Sequence, residues 1–342
     1  MFFPPVSFSI FFFYICRKII TGVRLNFTKI SLLLSTQTVK GITFEISKSA
    51  HTKPNFITVS ESIRYTMADL SKHKQIEIEH PGQYILSIRL EKAGIYFSIY
   101  NPSVNNSFQA CSEKFPAGED YLHSLENFVY EYPELLQPYK KVYILLQSNR
   151  FTFVPRDFEP SGETDIYYRY CFPDTSDRIL ENRLEQNGIY NLFGIDDDIY
   201  AFLLRTFDLP VILHHLSPLC EYFYTKSRMG NNEKMYVNIE NKYLDIICFG
   251  KKGLLLANTF EYEHTNDAAY YILNVWKQLN FDQQKDEVHL TGKNEQKKII
   301  VPIIQEYISC VMPSIFPAQL FKMGKDTLNA PFDLIITPLC EL

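Results

Sequence analysis

The chain has 342 residues, 46% of them hydrophobic and 15% aromatic, with a formal net charge of −5 at pH 7. That is apolar material for a sizeable core and too much for a disordered body, and the length suits two domains of ordinary size. The acidic balance argues against direct binding to nucleic acid or anionic lipid, and no Lys/Arg run announces a basic groove.

Met1 to Cys16 is Phe-rich and free of charge, and Arg17-Lys18 follow at once. A bilayer span needs about 20 apolar residues, and this run is shorter and interrupted by Pro4-Pro5. A secretory signal would carry its positive charge before the apolar run and a small-residue cleavage site after it; this run has neither. Residues 17–66 show no clear periodicity, so the fold is expected to begin near Met67, with 1–66 an extension or a mis-assigned start. Attachment to a membrane would rest on those residues alone. Cysteines at 16, 111, 171, 220, 248, 310 and 340 form no C-x-x-C pair, which favours reduced thiols in a cytoplasmic setting.

From Tyr84 the pattern sharpens. Leu86, Ile88 and Leu90 alternate with Ser87 and Arg89, which predicts a strand with one buried face. Glu91 to Gly94 turns the chain, Ile95, Phe97 and Ile99 line a return strand, and 108–115 reads as a third strand. Leu122, Leu125, Val129 and Tyr132 predict a helix over 119–131. The same order recurs later, with strands over 235–239, 243–249 and 254–261 and a helix carrying Ala269, Ile272, Leu273, Trp276 and Leu279. The two copies register best with Ser87 on Asn238.

Between them, 141–147 and 151–155 read as strands and 156–177 as a loop. Asp177 is expected to cap a helix through Glu185, stopped by Asn187-Gly188. A strand over 189–195, a helix bearing Ile199, Phe202, Leu203 and Phe207, and a strand over 211–216 follow. Ser217-Pro218 reads as the N-cap and first position of a helix reaching Lys226. After the second long helix come a strand over 287–292 and a helix-like run to Met312, kinked or started by Pro302. Strands alternating with helices predict an α/β protein.

Two resemblances stand on these residues. Leu254-Leu-Leu-Ala-Asn-Thr-Phe260, Asp267, Tyr270-Tyr271, Gln278-Leu279, Pro331-Phe-Asp-Leu334 and Cys340-Glu341 resemble the pattern of domain of unknown function family 3822 of Bacteroidetes. That resemblance runs from about Met67 to Leu342 and implies no activity. More remotely, the tandem βββα units are similar to the duplicated ribonuclease-H-like core of actin-like ATPases, including the cytoplasmic scaffolds of pilus assembly and type II secretion. This implies a duplicated α/β fold of two subdomains, 67–230 and 231–342, around a cleft.

The resemblance also sets a test. Actin-like ATPases need an Asp-apolar-Gly at the first hairpin of each half, the Asp for hydrated metal and the Gly for close approach to phosphate. In the chosen register this chain has Ser87-Ile88-Arg89 and Asn238-Ile239-Glu240, which argues against hydrolysis. Leu290-Thr-Gly-Lys293 resembles the turn that holds adenosine, so Thr291 and Gly292 are the candidate residues if ATP binds at all. Asp196-Asp197-Asp198 offer carboxylates for a hard cation but more simply complement a helix start. His214 and His215, adjacent in a strand, would face opposite ways and share no ion, one of them core-facing and hydrogen-bonded. Glu261, Glu263, His264 and Asp267 could gather metal, but Thr265-Asn-Asp267 is also a helix-start signal. Trp276 belongs to the core. The expectation is a non-catalytic scaffold with a protein partner; the alternative is an ATP-binding protein with weak or regulatory use of nucleotide.

Overall fold

The computed structural model describes residues 78–158, 164–313, 318–340 and 342. The expected start at Met67 and the extension over 1–66 lie outside the described residues.

The first repeat forms β1 (Ile85–Glu91), β2 (Gly94–Tyr100) and β3 (Gln109–Lys114), then α1 (Tyr121–Glu131), whose first turn is capped by the Asp120 carboxylate accepting from the His123 amide at 3.0 Å. β4 (Lys141–Leu146) pairs parallel with β1, and β8 (Val211–His214) pairs parallel with β4. The resulting five-stranded sheet has the order β3-β2-β1-β4-β8. The second repeat forms β9 (Lys234–Ile239), β10 (Tyr243–Gly250), β11 (Gly253–Glu261) and α5 (Thr265–Gln278). β12 (Glu287–Gly292), α6 (Asn294–Gln305) and β13 (Cys310–Pro313) complete a sheet ordered β11-β10-β9-β12-β13. The two sheets share one connectivity, with two antiparallel neighbours on one side of the central strand and two parallel ones on the other.

Between β4 and β8 the chain makes a third, antiparallel sheet from β5 (Phe151–Pro155), β6 (Arg178–Leu184) and β7 (Ile189–Ile195). Two expectations fail here. A helix, α2 (Thr164–Cys171), lies within the stretch read as loop. The expected helix after Asp177 is instead β6, because Asn187-Gly188 closes a hairpin onto β7, with Gly188 at φ 64, rather than stopping a helix. α3 (Asp197–Thr206) follows β7, and α4 (Leu216–Ser227) follows β8. α4 starts one residue before Ser217, so Pro218 still falls in the first turn, where its missing N–H costs nothing. The run expected to be helical as far as Met312 ends at Gln305 and re-enters the second sheet as β13; Pro302 lies inside α6.

Helices cover the outer faces. Leu86, Ile88, Phe97, Leu125, Phe128 and Val129 are all buried, with Phe97 edge-on to Phe128 at 6.0 Å. Trp276 is buried with Ile246, Ile272, Ile300 and Ile304 in the core of the second half, as expected. The inner faces are closed as well. Ser87 and Arg89, expected on a solvent face of β1, are 1% and 0% exposed. α4 and the C-terminal segment, including α8 (Phe332–Ile336) after α7 (Ala318–Met323), fill the space between the sheets. Phe223 of α4 stacks on Tyr236 of β9 at 4.3 Å and on Phe332 at 5.9 Å.

Candidate functional site between the two sheets

The hairpin turns fix how the repeats superpose. Glu91 pairs with Gly94 in the first copy, and Glu240 donates its amide to the Tyr243 carbonyl in the second. Gln147 donates to the Leu90 carbonyl and Lys293 to that of Ile239. Both relations set Arg89-Leu90-Glu91 on Asn238-Ile239-Glu240, two residues from the register read in the sequence. The position expected to hold a metal-organising Asp is therefore Arg89 in one half and Asn238 in the other. Glutamates stand where glycine was required, at Glu91 and Glu240.

Arg89 is the centre of a buried cluster. Its Nε donates to the Asp333 carboxylate at 2.6 Å, and its two remaining nitrogens reach the Glu91 carboxylate and the Tyr243 hydroxyl. Burial opposes the charge of the guanidinium, but Asp333, Tyr243, Glu91 and Glu240 outweigh it and hold the pKa well above the usual range. Burial likewise pushes the Tyr243 hydroxyl up, against the pull of Arg89. Glu240 is pushed up to about 7 by burial, opposed by Arg89 and Lys293. With Gly292, Lys293, Thr327, Leu328 and Phe332 it lines a small recess under the C-terminal segment.

A second buried network adjoins the first through Tyr243, whose ring lies 6.4 Å from that of His215. Asp245 of β10 accepts from the Asn238 amide at 3.0 Å and from the Thr259 hydroxyl at 2.7 Å, and His215 Nε2 lies 3.1 Å from its Oδ1. Burial alone would raise the Asp245 pKa; the charge of His215 and these three hydrogen bonds bring it below the usual value. His215, expected in the strand, lies instead at the start of α4. The chain turns after His214, and the two rings come within 4.4 Å of each other instead of facing opposite ways. Both are buried. His214 Nε2 lies 2.9 Å from the Ser148 carbonyl, and burial keeps its pKa well below the usual value.

Thr291 and Gly292 end β12 beside this network. The Thr291 hydroxyl reaches Asn238 Oδ1 at 3.3 Å and is fully buried, so it serves the fold rather than a cavity. Gly292 has φ 86, and a Cβ there would lie 2.1 Å from the Ile239 carbonyl oxygen, so only glycine makes this turn. Asp196 caps α3, accepting from the amides of Asp198 and Ile199, and Asp197 pairs with Arg178 at 2.6 Å. Asp267 accepts from the His264 amide at the start of α5 at 3.0 Å, and Glu261 accepts from Asn149 at 2.9 Å. Asp196, Asp197, Glu261 and Asp267 are thus engaged with helix starts and side chains.

Sequence reasoning gave no site role to Asp333, Tyr243, Asp245 or Thr259, although Asp333 and Thr259 lie in the stretches that carry the family resemblance. A signal for the first was present: Arg89 and Asp333 are opposite charges, each with a large apolar residue on either side.

Comparison with known proteins agrees with this architecture. The profile of the family described as Protein of unknown function (DUF3822) matches residues 73–311. A crystal structure from Bacteroides thetaiotaomicron, a protein with actin-like ATPase fold and unknown function, is 34% identical, with TM-score 0.64; the match covers 76% of this chain and 97% of that one. The chain is also similar to the PilM–PilN type IV pilus biogenesis complex, at 11% identity and TM-score 0.48 over 75% of this chain and 98% of that one. Similarity extends to the ethanolamine utilization protein EutJ from Carboxydothermus hydrogenoformans, at 10% identity and TM-score 0.39 over 77% and 91%. No curated protein matches. The fold is α/β, a duplicated ribonuclease-H-like fold of the actin-like ATPase kind.

Proposed function

We propose a function from the chain's own geometry, because the chain belongs to the DUF3822 family and that family's description carries no activity. The reading is a non-catalytic interaction or scaffold module on a degenerate actin-like ATPase fold, its two subdomains being 67–230 and 231–342. The observation that carries it is Arg89. A buried cation stands where the fold resemblance calls for a metal-holding aspartate, and the chain's own Asp333 occupies its guanidinium at 2.6 Å. Metal would meet a fixed positive charge at one hairpin, and phosphate would meet carboxyl groups in place of glycine at both. A nucleotide site needs backbone amides open to phosphate and an acid free to organise metal; neither hairpin offers that arrangement.

A cytoplasmic setting is part of the same reading. It is supported by the free thiols of Cys111, Cys171, Cys220, Cys248, Cys310 and Cys340. No helix among the described residues is long and apolar enough to cross a membrane.

One observation favours the alternative, weak or regulatory binding of ATP: the obligatory glycine turn at Gly292 leads directly into α6, the strand-turn-helix form in which helix amides receive phosphate. Calorimetric titration of the full chain with Mg-ATP and with ADP, alongside a phosphate-release assay, separates the two. The scaffold reading expects no heat at millimolar nucleotide and no phosphate release. Micromolar affinity, or turnover, would overturn it.

A further inference from the structure

The C-terminal segment from Lys325 onward is attached in an unusual way. It comprises a four-residue turn (Lys325–Leu328) and the five-residue α8, joined to α7 through Gly324 at φ 126. Its main-chain hydrogen bonds are local: Asn329 to Asp326, Ile335 to Pro331, Cys340 to Thr337. Among the described residues, no backbone–backbone hydrogen bond ties it to either sheet. Among the described residues, each polar contact that docks it has a side chain on at least one side. Asp333 takes Arg89 of the first sheet, the Asn329 carbonyl accepts from Lys293 beside the second at 3.1 Å, and the Leu342 carbonyl accepts from Lys141 at 3.3 Å. Phe332, Leu334, Ile335 and Ile336 are buried.

The seat suits its occupant incompletely. Ser87 and Ser98, opposite each other on the face of the sheet that carries Arg89, have buried hydroxyls without a hydrogen-bond partner among the described residues. Beneath the segment, Glu240 is a buried carboxyl shared between Arg89 and Lys293. An element held by side chains over uncompensated polar groups opens before the sheets do, since neither ladder has to break. What it leaves is a groove lined by apolar and polar residues around one buried guanidinium, and a guanidinium selects a carboxylate.

We infer that residues 325–336 occupy in cis a segment-docking groove between the sheets. They leave it as a unit, and the groove then accepts an external segment of the same chemistry, an aspartate set among large apolar residues. This rests on the interaction reading above and names the kind of partner. Recognition is of the helix-in-groove kind, with charge complementarity at its centre.

Hydrogen exchange on the full chain tests release. Amides of 325–336 are expected to exchange at least about ten-fold faster than those of β1 and β9, and about ten-fold faster again in Asp333→Asn. Acceptance is tested by fluorescence anisotropy with a labelled synthetic peptide spanning residues 325–340. It should bind the Asp333→Asn chain, bind about ten-fold more weakly when its own aspartate is replaced by asparagine, and fail on the Arg89→Met/Asp333→Asn chain. Amides of 325–336 as protected as those of β1 in the wild-type chain would overturn release, whether or not the variant folds. A folded Asp333→Asn chain that ignores the peptide, or binds both peptides alike, would overturn acceptance. Nucleotide binding by the wild-type chain would overturn the scaffold reading without altering either result, so the two failures are distinct.

Discussion

Replacing Arg89 by methionine removes the only cation that pairs with Asp333 among the described residues, across 2.6 Å to a carboxylate that is 1% exposed. Deleting one partner of a buried ion pair leaves an uncompensated charge and costs about 3–5 kcal/mol. Arg89 also satisfies Tyr243 and Glu91, so Arg89→Met belongs at the upper end of that range. Asp333→Leu leaves the guanidinium with Glu91 and Tyr243 and belongs at the lower end. The double variant puts apolar groups of similar bulk on both sides, and such replacements are often neutral or better. The double variant should therefore be more stable than Arg89→Met alone, with a coupling of about 2 kcal/mol or more in a double-mutant cycle. Urea titration followed by circular dichroism measures all four proteins, and fluorescence of Trp276, buried against Phe281, reports the second half separately. Single variants within about 0.5 kcal/mol of wild type, or losses that simply add, would refute the claim that this pair joins the C-terminal segment to the first sheet.

Three further outcomes follow from the same geometry. Glu240, with a folded pKa of about 7 against 4.5 in the unfolded chain, binds more protons folded than unfolded. Its contribution is therefore fully present below about pH 4.5 and lost as pH rises through 7, a span of about 3 kcal/mol that Glu240→Gln should abolish. The variant should be the more stable protein at pH 8 and no better than wild type at pH 4.5, and thermal melts across that range decide it. Gly292→Ala forces a side chain into φ 86 against the Ile239 carbonyl, so a loss of about 2–3 kcal/mol in urea titration is expected. Asp196→Ala deletes the cap of α3 and should cost about 1 kcal/mol, whereas Asp198→Ala, outside the cap, should cost less than half of that.

Much of the fold was legible because it lies in periodicity. The alternation of Leu86, Ile88 and Leu90, the tight turns at Gly94 and Gly253, and the stripe through Ile272 and Trp276 each specify an element and its outer, helix-covered face. The third sheet was less legible. Asn187-Gly188 punctuates a helix and a hairpin alike, and only pairing with β7 decides between them. The inner faces were illegible for a different reason: Ser87, Arg89, Asn238 and Asp245 are polar, and polar residues alternating with apolar ones signal solvent. Here they face each other, α4 and the C-terminal segment, and what makes them core is pairing across the chain. Arg89 finds Asp333 at a separation of 244 residues.

The register of the repeat shows why the candidate site in particular resisted reading. A slip of one residue turns a strand's apolar side outward and is betrayed by its pattern, but a slip of two leaves every side chain on its own face. Ser87 and Arg89 therefore fit the sequence pattern equally well opposite Asn238, and the choice falls to the turn, where Glu91 matches Glu240. The choice matters chemically. With Ser87 at the position, the hairpin is merely a poor metal site that some other acid could rescue. With Arg89 there, it carries a buried positive charge of its own. That charge requires a carboxylate, and the chain supplies one from its C-terminal segment. On the proposed scaffold reading, the loss of a nucleotide site and the docking of residues 325–336 are one arrangement, since the guanidinium that would oppose a metal ion also anchors the segment filling the space between the sheets.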